Sequence, residues 1–185
     1  PNRPNKKIED APFGVEEEYP EIKNVVIMLD CSSSMGYTQF INVLEHLTTL
    51  FKAKRMIRTR FHLVPWGDSS MKKTASAYEV ITGHMNLIKR LSVMKGDIGS
   101  TDIIPPFMFL AEKLRKVDVI LVLTDGQYNR YSGDLKVVKE YIRKHQRRIL
   151  WVFTTKHETE PTMELDPYFK NAGRYVVVKK DKAKN

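Results

Sequence analysis

The chain has a single cysteine, Cys31, in 185 residues. That excludes an intramolecular disulfide and any zinc site built from several thiolates, and it points to a reducing, intracellular setting, the cytoplasm. Long apolar runs are missing too. The two longest, Val25 to Leu29 and Val119 to Leu123, fall far short of the ~20 residues a membrane helix needs, so both read as strand cores and no membrane partner is expected. The N-terminal residues lack the apolar stretch of a signal peptide. Because the chain begins at Pro1 rather than methionine, it reads as an excised domain or a processed product. The five histidines, His46, His62, His84, His145 and His157, show no HExxH pairing, and the sequence has no GxxxxGK[ST] loop and no GxSxG elbow.

What is present is a globular composition, 42% hydrophobic and 29% charged, in a chain long enough to bury a two-sided core without crosslinks. The net charge is +9. It gathers in clusters: Lys52, Lys54, Arg55, Arg58 and Arg60; Arg143, Lys144, Arg147 and Arg148; and the tail lysines Lys179, Lys180, Lys182 and Lys184. Solvated helix ends and a solubilising tail account for these first, and phosphate contacts second. Nucleic acid is therefore a second-rank partner.

Residues 1–21 hold four of the nine prolines without a helical or alternating period, and read as a linker or arm. Residues 179–185 read as a basic tail, which leaves one domain over 22–178. That domain alternates continuous apolar runs with segments of helical period, the pattern of βαβ units. Strands are expected at 24–30, 60–67, 118–126, 148–155 and 174–178, with a further strand over 70–81 as an antiparallel edge. Helices are expected at 38–57, 83–94, 134–145 and 165–171, and from Pro105-Pro106 to about Arg115, the two prolines fitting a first helical turn. The fold class is α/β: a three-layer, doubly wound, Rossmann-like and mostly parallel sheet flanked by helices.

In such sheets ligands bind beyond the carboxyl ends of the strands, where strand order reverses. Two strongly apolar strands end in oxygen-bearing residues, Asp30-Cys31-Ser32-Ser33-Ser34 and Thr124-Asp125-Gly126, and a third polar loop, Gly99-Ser100-Thr101-Asp102, precedes a helix. Two carboxylates with three hydroxyls make an oxygen donor set for a hard divalent cation, Mg²⁺ or else Mn²⁺ or Ca²⁺. Cys31 is a poor ligand for such an ion. Asp68 and Asp102 would stand one step removed from it. Tyr128, Asn129, Arg130 and Tyr131, just after Asp125, have the side chains of an interface loop.

The order Asp-x-Ser-x-Ser-Met, Gly-x-Thr-Asp and strand-Thr-Asp-Gly resembles the metal-ion-dependent adhesion site of von Willebrand factor A domains, and the form without disulfides is similar to their intracellular, prokaryote- or virus-type branch. The resemblance implies that Ser32, Ser34 and Thr101 touch a metal through hydroxyls, that Asp30 and Asp125 lie close, often through water, and that a partner's carboxylate completes the shell. Two positions depart from the family pattern, Ser33 and Ser100, each a serine where glycine is frequent. The resemblance further implies a non-enzymatic protein-binding module, with an AAA+ ATPase or another complex subunit as partner. Two alternatives stand beside it: RNA binding through the basic clusters, and Mg²⁺-dependent phosphoryl transfer. The second lacks an evident general base beside Asp30, and Ser32 stands where a haloacid-dehalogenase phosphatase would want a second aspartate.

Overall fold

The computed structural model describes residues 21–35, 41–49, 56–67, 71–94, 102–126, 135–154 and 173–178. Within them six strands form one sheet in the order β3-β2-β1-β4-β5-β6. β1 (Asn24–Asp30), β2 (Arg60–Trp66), β4 (Val119–Thr124), β5 (Ile149–Thr154) and β6 (Arg174–Val178) run parallel, and β3 (Glu79–Thr82) is an antiparallel edge paired to β2. The helices are α1 (41–49), α2 (Met71–Ala77), α3 (His84–Leu91), α4 (Ile104–Lys113) and α5 (Leu135–His145).

β1 is a continuous apolar run because both of its faces are covered. Side chains alternate between faces along a strand, and the core divides accordingly. Val25, Ile27 and Leu29 pack with Val43, Leu44 and Leu47 of α1 and with Leu87 and Leu91 of α3. Val26 and Met28 pack with Ile104, Phe107 and Leu110 of α4 and with Val138, Tyr141 and Ile142 of α5. The result is the expected three-layer sandwich. No described helix is long and apolar enough to cross a membrane.

The stretch 70–81 departs from expectation. A strand was expected throughout, but 71–77 form α2 and only Glu79–Thr82 form the edge strand. Met71-Lys72-Lys73-Thr74-Ala75-Ser76-Ala77 is rich in good helix formers, and its one β-branched residue, Thr74, is buried. The edge strand then carries the β-branched Val80, Ile81 and Thr82. Helix α4 begins as expected, with Pro105 and Pro106 in its first turn, where no intrahelical donor is lost. The helix expected at 165–171, the arm up to residue 20 and the tail at 179–185 lie outside the described residues.

This topology positions the site. From β1 the chain moves outward to β2 and β3, then returns across β1 through α4 to β4 and continues outward the other way. The reversal falls between β1 and β4, and there β1 ends in Asp30 and β4 is followed at once by Asp125.

Candidate metal centre

Asp30 is the last residue of β1 and shares the strand face of Val26 and Met28, the side covered by α4. It is fully buried. Its Oδ1 accepts the Ser32 N–H at 2.9 Å, and its Oδ2 accepts the Thr124 hydroxyl at 2.6 Å. The Ser32 side chain also bonds this carboxylate. Thr124 Oγ1 in turn accepts the Gly126 N–H at 2.9 Å. A short relay therefore runs from the backbone beyond β4, through Thr124, to Asp30 and the loop beyond β1. It holds the two strand ends together.

The electrostatics follow from burial. Desolvation pushes the Asp30 carboxyl up to about 6, and the negative charge of nearby Asp125 adds to the rise; the bonds from Ser32 and Thr124 oppose it. Asp125 is itself buried, at 8% exposure. Two carboxylates that repel one another in a water-poor corner are unfavourable unless a positive charge joins them. Cys31 alternates to the opposite face, where its Sγ lies 3.5 Å from the Leu29 carbonyl. Burial, followed by the charge of Asp30, pushes its thiol up to about 12. It stays protonated and faces away from the carboxylates.

The loop after Asp30 is fixed at both ends. Cys31 N–H donates to the Trp66 carbonyl at 2.8 Å, extending the β1–β2 ladder past the strand. Ser33–Met35 then form a 3-10 turn, with Met35 N–H on the Ser32 carbonyl at 3.2 Å. Met35 is fully buried, and Thr154 at the end of β5 places its hydroxyl 3.8 Å from the sulfur. The methionine that closes the serine motif thus anchors the loop beneath the strand ends.

Of the residues singled out from sequence, Asp30, Ser32 and Asp125 come together. Ser34 lies in the 3-10 turn, with its side chain outside the described set. Asp102 is fully buried at the start of α4 and accepts the Ile104 N–H at 3.0 Å. Thr101, Asp68, Tyr128, Asn129, Arg130 and Tyr131 lie outside the described residues. Sequence reasoning missed Thr124, whose hydroxyl is the direct link between the strands, and Met35 as the anchor. Thr124 was visible only as the neighbour of Asp125.

Among the described residues no group of three or more His, Cys, Asp or Glu side chains is placed to hold a metal ion. The donors gathered here are two carboxylates and a serine hydroxyl, an all-oxygen set that suits a hard cation such as Mg²⁺. Such an ion would offset the repulsion between Asp30 and Asp125. The residues therefore fit the group the resemblance implies.

No family model matches the chain, and no curated protein matches it. Solved structures do. The proximal thread matrix protein 1 of the mussel byssus superposes with a TM-score of 0.60 at 14% identity, covering 85% of this chain and 41% of that one. A von Willebrand factor type A protein from Catenulispora acidiphila gives 0.58 at 15% identity, covering 86% of this chain and 39% of that one. A second crystal form of the mussel protein gives 0.54 at 10% identity, with 87% and 44% covered. The chain spans about two fifths of the length of these structures. The fold is thus von Willebrand factor A-like, and at these identities the likeness concerns the fold alone.

Proposed function

We propose that this chain is a non-enzymatic binding module that holds one divalent cation, Mg²⁺ in the first instance, at the carboxyl ends of β1 and β4 and presents it to an acidic group of a protein partner. The observation that carries this reading is the buried pair Asp30 and Asp125, drawn together by the Thr124 bond in spite of their mutual repulsion. Two buried carboxylates in one corner are costly, and a bound cation would offset that cost. Ser32, Ser34 and Thr101 would supply the remaining protein oxygens, with Asp68 and Asp102 one step removed.

When bound, the cation would supply a Lewis-acidic point of attachment for a carboxylate. The chain's own residues provide the rest: Thr124 and the Ser32 amide orient Asp30, and Met35 fixes the serine loop. The 127–133 segment, with Tyr128, Asn129, Arg130 and Tyr131, follows Asp125 directly and would read the partner. A module of this kind suits a subunit of an intracellular assembly, and an AAA+ ATPase is one such partner.

The test is affinity capture from the native source, using wild-type, Asp30→Ala and Asp125→Asn baits in magnesium and in chelator, with circular dichroism to verify each fold. The reading expects one partner captured by the wild type in magnesium and lost in chelator and with either folded variant. Capture that persists unchanged in chelator contradicts it.

A further inference from the structure

Helix α5 turns Val138, Tyr141, Ile142 and His145 into the core and exposes its other residues, which continue into the 3-10 turn Gln146–Arg148. Arg143, Lys144, Arg147 and Arg148 are all exposed. The segment after α4 adds exposed Arg115 and Lys116. The two segments are joined: Tyr141 Oη donates to the Leu114 carbonyl at 3.2 Å, and an Arg148 Nη donates to the Val117 carbonyl at 2.8 Å. Six cations therefore share one rigid corner.

The acids nearby, Glu112, Glu140 and Asp118, are outnumbered two to one by these six cations. Asp118 spends its carboxylate on the Lys23 and Asn24 amides, each at 2.9 Å. The ion pairs Lys23 with Glu21 and Arg90 with Glu79 lie elsewhere. The positive field reaches inward as well: after burial, the charges of Arg148 and Lys144 lower His145 further below its ordinary value. One or two cations at a helix C-terminus complement its dipole. Six exceed that need.

We infer that the corner formed by the C-terminal end of α5 and the segment after α4 is a docking surface for the phosphate backbone of a double-stranded nucleic acid, bound without regard to sequence. Arg143 and Lys144 stand in the last turn of α5 and Arg147 and Arg148 in the 3-10 turn that follows it, so four cations fall within six consecutive residues and can face a line of phosphates. Arginine forks match phosphate oxygens. A lipid surface would call for an exposed apolar stripe, and the stripe of α5 is buried in the core. A folded protein partner would call for exposed aromatic or aliphatic anchors, and the corner has none among the described residues. The lack of an exposed aromatic also argues against a stacked single strand.

The corner adjoins Asp118, just before β4, whereas the carboxylate pair lies just after it. Six residues of β4 set the two sites roughly 20 Å apart, so they can act separately. The test is fluorescence anisotropy of labelled 20-base-pair DNA and RNA duplexes with the full chain, run in chelator so that the cation centre plays no part. Binding is expected at 50 mM salt, weakening on the order of 100-fold by 200 mM, as four released counterions require. Arg143→Glu with Arg147→Glu is expected to weaken it more than 10-fold, whereas Lys72→Glu with Lys89→Glu, the same charge change on α2 and α3, leaves it within about 3-fold. Circular dichroism checks both folds. No binding at 50 mM salt, equal loss in both double variants, or equal or better binding of poly-glutamate or phosphatidylserine vesicles would each overturn the inference.

Discussion

Asp30 carries more of the site's physics than any other residue, because burial, a like-charged neighbour and three donors all act on one carboxylate. Thr124 is the donor that crosses between strands, and a charge-assisted bond of this kind contributes about 1.5–3 kcal/mol. Thr124→Val keeps the shape and removes the donor, so the variant is expected to lose about that much stability in urea unfolding. An unchanged midpoint would mean that the link holds nothing. Another residue-scale prediction concerns His145, which is 2% exposed with neither ring nitrogen hydrogen-bonded, and packs its ring against Tyr141 at 4.4 Å. Burial, then the charges of Arg148 and Lys144, hold it below its usual 6.5. A depressed folded value means that the unfolded chain takes up the proton first. Its stability contribution is therefore complete above about pH 6.5 and is lost as pH falls through and below that value. His62, also lowered by burial and by Arg60, acts with the same sign. The informative quantity is thus the difference between wild type and His145→Phe in urea midpoints at pH 7.5 and pH 5: the variant should lose less on acidification, and equal losses would contradict the assignment.

At the scale of elements, the parallel strands and most helices were legible in the sequence because their burial is two-sided or one-sided in a regular way. β1 and β4 are continuous apolar runs, and α3 and α5 present single apolar stripes. The 70–81 stretch was not legible, because α2 buries few side chains and its period is too short to separate from an edge strand. Tertiary pairing with β2 decides where helix stops and strand begins. The start of β6 shows another constraint that composition conceals. Gly173 sits at φ 135°, and a Cβ there would lie 2.4 Å from the Ile149 carbonyl oxygen. Neither the backbone angle nor the space admits a side chain. Gly173→Ala is expected to cost more than about 2 kcal/mol, seen as a lower thermal midpoint. Stability equal to wild type would mean that β6 can shift away from β5 without loss.

For the whole molecule, the strand order places chemistry at both ends of one sheet. The segments around Asp30 and Asp125 converge only if β1 and β4 are neighbours, and the parallel register Val25 to Val119 through Leu29 to Leu123 makes them so. That convergence could be anticipated from the motif order, whereas the relay through Thr124 and the anchoring of Met35 could not, since both depend on which side chains meet across strands distant in sequence. The basic corner was visible as a cluster of letters on α5, but its joining to the segment after α4 is a property of packing. The central claim is that Asp30 and Asp125 are held together to receive a cation. Calorimetric titration of the full chain with Mg²⁺ tests it most directly, alongside Asp30→Asn and Asp125→Asn variants shown by circular dichroism to be folded. The account predicts a single saturable site in the wild type that is lost in both variants; no Mg²⁺ binding up to millimolar concentrations, or binding that both variants retain, would contradict it.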